Sequence, residues 1–309
     1  MSRRALALAL ALSLTGLGAT RAAGAEELSL GVFLPQASFT TNAERSAWAQ
    51  ALADALGAAT GGEHTFIPRT FARRGDVIGF MRAKRIDLLV ADGLLIASDP
   101  AEVIGHATAT PAVALYGAEG TTMTDLRGKV VSYAEAGADD ALFFANTALA
   151  GEVAPRAYFG EMRAAKDAGA ALGAVRAGAA QAAFAPLGHP ASAGLTLLAQ
   201  GGTVPLAVVA VVNPAHIDAG LRARIVAGLT GAAGTGGGLG GWAPGDGDAL
   251  SKARALAKAP PRVLTATPIL TALTSERVAP PPLRLRTSGA LEPPRGAPAV
   301  ALTPTLEDP

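Results

Sequence analysis

Residues 28 to 91 alternate between runs that fit a buried strand and runs that fit an amphipathic helix, and the same alternation restarts at Val130. Leu28 to Leu34 reads as a strand. Asn42 to Thr60 reads as a helix, with Trp48, Leu52, Leu56 and Ala59 at helical spacing and Gly61-Gly62 closing it. His64 to Arg69 predicts a second strand, Asp76 the cap of a short helix through Ile78, Met81 and Arg82, and Ile86 to Ala91 a third strand. Val103 to Thr110 and Ala112 to Tyr116 read as extended segments. Strands alternating with helices constrain the chain to the α/β class, with mostly parallel sheets flanked by helices.

The second half predicts a strand at Val130 to Tyr133 and a helix that begins at Asp139 or Asp140 and runs through Leu142, Phe143 and Leu149. A short strand at Ala157 to Phe159, a helix at Ala168 to Arg176 and a strand at Ala180 to Ala185 follow. Two halves of similar rhythm imply two lobes, not one long sheet. The apolar run Pro205 to Val212 is able to return the chain to the first lobe, and Asp218 caps a helix through Leu221, Ile225 and Leu229. Gly231 to Gly247 reads as a flexible connection, and Asp248 to Ala257 as one more helix. Val263 to Leu273 is expected to add a strand to the body. Of the 21 prolines, 11 lie beyond Ala259, so residues 278–309 are expected to be disordered. The expected organisation is a leader at 1–25, lobe 1 at 26–120, lobe 2 at 121–203, a return to lobe 1 at 204–277, and the tail.

The leader has the three parts of a cleavable secretory signal: Arg3 and Arg4, the apolar run Ala5 to Leu14, and the A-x-A site Ala23-Gly24-Ala25. That run is shorter than the roughly 20 residues a span needs. The chain has no cysteine, which excludes a lipid-anchored form and a disulfide framework. Of 26 Lys and Arg, Arg3, Arg4 and Arg21 precede Glu26, so 23 remain beside 25 Asp and Glu. No basic stripe suggests nucleic acid. A periplasmic location follows as the expectation.

Five segments carry a resemblance. They are Leu30-Gly31-Val32, the helix ending in Ala59-Thr60-Gly61, Lys84 to Gly93, the turn Asp125-Leu126-Arg127-Gly128-Lys129, and Ala174 to Ala183. In this order and spacing, residues 28 to 230 resemble type 2 periplasmic solute-binding proteins. Within these they are similar to the phosphate/phosphonate-type binding components of ABC transporters. The resemblance implies a two-lobed type 2 fold and a ligand cleft between the lobes. It also implies a small oxyanion as ligand and a transporter permease as partner.

On that fold, Ser38, Thr40 and Thr41 fall in the loop after the first strand, where an anion meets hydroxyls and the N–H groups of a helix N-terminus. One of these hydroxyls equally serves as an ordinary cap. Asp92 follows the third strand and faces the presumed cleft, or forms a turn with Gly93. Tyr116 and Tyr133 end apolar runs, where they either contact ligand or cover the core. Relatives open the second-lobe helix with a Ser/Thr-rich turn. Here the stretch Ala134 to Asp140 has no hydroxyl and carries Glu135, Asp139 and Asp140. Asp139 and Asp140 are therefore caps, or belong to a site that prefers a cation, an amine or a zwitterion.

His64, His106, His189 and His216 are scattered without metal-ligand spacing, and no nucleophile elbow or phosphate loop is present. The leading expectation is a monomeric, non-enzymatic solute binder without cofactor. The alternatives are a divergent binding-protein-like partner of a membrane sensor or an envelope interaction protein, with altered or lost ligand binding, and an α/β hydrolase or transferase.

Overall fold

Apolar residues on every second position, then on consecutive positions, drive β1 (Glu26–Phe33) into the core: Leu28, Leu30, Val32 and Phe33 are buried. The computed structural model describes residues 25–232 and 236–260. Helix α1 (Asn42–Ala59) buries Ala49, Leu52, Ala53 and Leu56 on one stripe, and Arg45 with them. Its start is a capping box: Glu44 N–H donates to Thr41 Oγ1 at 3.1 Å while Glu44 Oε2 accepts from Thr40 N–H at 2.7 Å.

β2 (His64–Thr70) and α2 (Arg74–Arg82) follow. α2 starts two residues before Asp76, which lies in its first turn and does not cap it. β3 (Leu88–Ala91) leads into a short buried helix, α3 (Gly93–Ser98), and β4 (Glu102–Ala107) ends the first pass. The chain then crosses and builds β5 (Ala112–Gly117), β6 (Val130–Ala134), α4 (Asp140–Asn146) and α5 (Pro155–Tyr158). The expected strand at Ala157 to Phe159 is thus a helical turn and its exit. Pro155 occupies the first helical position, where its missing N–H costs nothing, and the strand comes next. That strand is β7 (Glu161–Ala165), followed by α6 (Ala168–Arg176), β8 (Ala182–Pro186) and β9 (Thr196–Thr203). After a second crossing come β10 (Val208–Val211), α7 (Ala219–Gly231), β11 (Trp242–Pro244) and α8 (Gly247–Lys258). β11 pairs with β4, so the Gly-rich connection contributes an edge strand. The expected strand at Val263 to Leu273, the leader and the tail lie outside the described residues.

The strands form two sheets, ordered β11-β4-β10-β3-β1-β2 and β7-β6-β8-β5-β9. The two follow one plan. A parallel trio is joined by an antiparallel strand that enters from the other lobe, β10 in one sheet and β5 in the other. Next to each entering strand lies the one that leaves, β4 or β9. The chain therefore changes lobes twice, at 108–111 and at 204–207. The first crossing precedes the boundary at residue 120 because β5 already pairs in the second sheet.

The two crossings bond to each other: Ala107 N–H to Ala207 O at 2.8 Å, Leu206 N–H to Ala109 O at 3.2 Å and Val204 N–H to Pro111 O at 3.4 Å. Gly93 packs against this double strand, its N–H donating to Pro205 O at 3.1 Å. A Cβ there would lie 2.6 Å from that same oxygen. Gly93→Ala should therefore lower the urea unfolding free energy by about 1–3 kcal/mol. An unchanged midpoint would show that the crossing yields freely.

All described residues lie in one compact unit. One apolar core runs through both lobes, joining Phe33, Leu95 and Ile96 of lobe 1 to Phe143, Phe144 and Phe184 of lobe 2. Phe144 and Phe184 stack with centroids 4.1 Å apart. Helix α8 inserts Leu250 and Ala253 into this core and packs on α3, α4 and β9. Asn146 Nδ2 donates to Leu256 O and Ala259 O, both at 2.9 Å, and so closes the end of α8.

Candidate functional site

The parallel strands of each sheet end at the seam between the lobes, where open α/β sheets place ligands. Beside the double crossing lies a cavity of about 390 Å³, a size typical of small-molecule sites. Gln36 and Ser38 line it from the β1–α1 loop, Thr110 and Leu206 from the two crossings, and Leu187 and His189 from the loop after β8. Both lobes and the hinge thus contribute walls.

Of the residues expected from the sequence, Ser38 lines this cavity. Tyr116 is not part of its lining: it is buried, and its hydroxyl accepts from Gly188 N–H at 3.1 Å, which fixes the loop carrying His189. Thr40 and Thr41 remain exposed at the start of α1, committed to the capping box. Tyr133 is half-buried and meets the Phe144 ring edge-on. Burial raises its phenol above 10, and the charges of Asp140 and Glu135 add to that.

The acidic residues act first as caps. Asp139 Oδ1 accepts from Leu142 N–H at 3.1 Å and begins α4. Asp140 is buried and accepts from Ala136 N–H at 3.1 Å and Gly137 N–H at 2.8 Å. Asp92 is completely buried, and its Oδ1 accepts from Leu94 N–H at 2.9 Å to start α3. Asp92 Oδ2 and Gln36 Oε1 have no hydrogen-bond partner among the described residues. Burial raises the Asp92 carboxyl to about 8, with the nearby Asp140 charge adding to it and the Leu94 N–H opposing. Burial raises Asp140 to about 7 against its two backbone donors. Each of the two carboxyls is thus biased towards its protonated form, and a charge on Asp140 raises Asp92 further. Asp139 and Asp140 border a separate cavity of about 140 Å³, with Ser98 and Lys258.

The lobes are joined across the seam by the chain's own groups. Arg45 reaches Asp167 at 3.7 Å, both largely buried, and Asp167 also caps α6 through Ala170 N–H at 2.8 Å. Ala168 N–H donates to Pro35 O at 2.8 Å, Ala138 N–H to Ser98 Oγ at 3.0 Å and Gln36 Nε2 to Ala134 O at 3.4 Å. No group of three or more metal-ligating side chains occurs among the described residues, and no described helix is long and apolar enough to cross a membrane.

No family model and no curated protein sequence matches the chain. Solved structures do match it. PhnD1 from Prochlorococcus marinus, solved in complex with methylphosphonate, aligns over 75% of this chain and 97% of its own at 12% identity and a TM-score of 0.58. The binding protein component of a phosphonate ABC transporter from Pseudomonas aeruginosa aligns over 75% of this chain and 85% of its own, at 11% identity and a TM-score of 0.56. XAC2383 from Xanthomonas citri, solved with ATP, covers 76% and 98%, at 12% identity and a TM-score of 0.55. The chain has the type 2 periplasmic-binding-protein fold. At 11 to 12% identity the likeness is one of fold.

In a binding-protein fold, sequence reasoning places ligand groups at helix starts. Here those starts are closed by Thr41, Asp92, Asp139 and Asp167. The cavity residues it missed, Gln36, Thr110, Leu187 and His189, sit in irregular segments with no motif of their own.

Proposed function

We propose that this chain is an exported solute-binding protein that captures a small ligand between its lobes and delivers it to an ABC transporter permease. The carrying observation is the cavity of about 390 Å³ with walls from both lobes and from the double crossing. A ligand there touches both lobes, so its binding energy favours whichever lobe arrangement makes more contacts. Two proteins of like fold, those solved with methylphosphonate or named for a phosphonate transporter, support the transport reading. The oxyanion implied by the resemblance meets no cationic side chain in the lining.

A second reading, a binding-like protein serving a membrane sensor or envelope partner, is favoured by the bonds that already join the lobes, Arg45 to Asp167 foremost. A thermal-shift screen of the exported chain from Glu26 separates the two. Under the first reading at least one solute, at 100 times its dissociation constant, stabilises the fold by about 2.7 kcal/mol. Absence of any shift across phosphonates, sulfonates, amino acids, sugars, amides and polyols would transfer the assignment to the second.

A further inference from the structure

We infer that the interlobe cavity takes a small, uncharged molecule carrying hydroxyl or amide groups on a partly apolar frame. This rests on the solute-binding reading above. The lining holds no Lys, Arg, Asp or Glu. Its polar side chains are those of Gln36, Ser38, Thr110 and His189, and three prolines, Pro111, Pro186 and Pro190, supply rigid apolar wall.

His189, the one titratable group of the lining, is held towards its neutral form. Its Nδ1 accepts from Ala191 N–H at 3.1 Å, which puts the ring proton on Nε2. Burial pushes the imidazole below its ordinary 6.5, and the Asp167 charge only partly offsets this.

The helix starts that would give an anion its N–H groups are spent within the chain. Asp92 closes α3, Asp139 closes α4 with Asp140 behind it, and Asp167 closes α6. A cation fares no better: Asp92 is completely buried, Asp167 is paired with Arg45, and neither lines the cavity. A charged ligand would give up hydration on the walled side without a counter-charge, which costs more than burying a hydroxyl or amide that finds a partner. The volume equals about a dozen water molecules of liquid, so the ligand has roughly that many non-hydrogen atoms or fewer.

The test is titration calorimetry with thermal shift on the chain from Glu26. The neutral probes are butyramide and 1,4-butanediol, and the charged ones methylphosphonate, phosphate, ethanesulfonate and arginine. A neutral probe should bind and the charged probes should not. Two variants locate the site. Ala109→Trp, which fills the cavity from the hinge wall, should weaken the neutral probe at least tenfold. Leu187→Arg, at a partly exposed lining position, should weaken it similarly and admit methylphosphonate. Methylphosphonate bound by the parent chain and lost in Ala109→Trp would overturn the ligand class while leaving the solute-binding reading intact. Neutral binding indifferent to both variants would overturn the site. Silence from every probe, neutral and charged, would sink both readings together.

Discussion

Asp92→Asn should raise the melting temperature at pH 8 and leave it nearly unchanged at pH 4. The Asp92 carboxyl, ordinarily near 3.8, is raised to about 8 by burial. The folded chain therefore holds a proton that the unfolded chain releases. Stability falls as pH climbs through the window from 3.8 to 8 and levels off above it. At pH 8 the accumulated cost for Asp92 is on the order of 5 kcal/mol. Asparagine keeps the side-chain oxygen that accepts from Leu94 N–H and carries no proton to lose. The measurement is thermal unfolding of parent and variant at pH 4, 6 and 8, read as the difference in melting temperature between them. An equal difference at all three values would show that Asp92 does not titrate in this window.

Asp87→Ala should do the opposite, destabilising the first lobe by about 3 kcal/mol at pH 7. Asp87 is buried and accepts from Ser29 N–H and Ser29 Oγ, both at 2.7 Å, and from Asn213 Nδ2 at 3.2 Å. Its Oδ1 also lies 2.8 Å from His216 Nδ1. These bonds tie the start of β3 to β1 and to the loop between β10 and α7. Burial pushes the Asp87 carboxyl up, yet Ser29, His216 and Asn213 together hold it below 3.8. Its stabilisation is thus complete above 3.8 and disappears as pH falls through the lower folded value. The deficit of the variant should amount to roughly 6–12 °C at pH 7 and narrow as pH falls below 3.8. A melting point within 2 °C of the parent, about 0.5 kcal/mol, would show that water replaces the carboxylate without loss. The contrast with Asp92 is instructive. Two buried aspartates at the two ends of β3 are pushed in opposite directions: complete burial and the Asp140 charge outweigh the Leu94 N–H at Asp92, whereas the hydrogen bonds from Ser29, His216 and Asn213 outweigh burial at Asp87.

The elements legible in the sequence were those whose burial leaves a period. α1, α6 and α7 show stripes and caps, and β1, β3 and β10 are apolar runs bounded by polar turns. α3 left no such mark: its first five residues are all buried, and the Asp92-Gly93 start has the composition of a turn. β9 contains Gly201 and Gly202 and is mostly half-exposed, which removes both the alternation and the β-branched signature of a strand. In the site, Ser38 was legible because it follows β1. Gln36, Thr110 and His189 come together only through the two crossings, and no local pattern encodes that meeting. Thr41 and Asp139 illustrate a deeper ambiguity. A side chain that caps a helix and one that offers the same end to a ligand look alike until the bond is seen.

α8 changes what motion this molecule can make. Two strands crossing side by side act as a door hinge, leaving one easy rotation. A helix seated on α3 of one lobe and on α4 and β9 of the other is a strap across the opening of that door. The lobes can part only if α8 slides over one of its seats or lets go of it. The mobility of the pair is then set by the grip of Leu250, Ala253 and the Asn146 clasp, not by the crossings alone. Motion of this kind is shear, with short travel. A ligand would be admitted by breathing at the seam more than by wide opening.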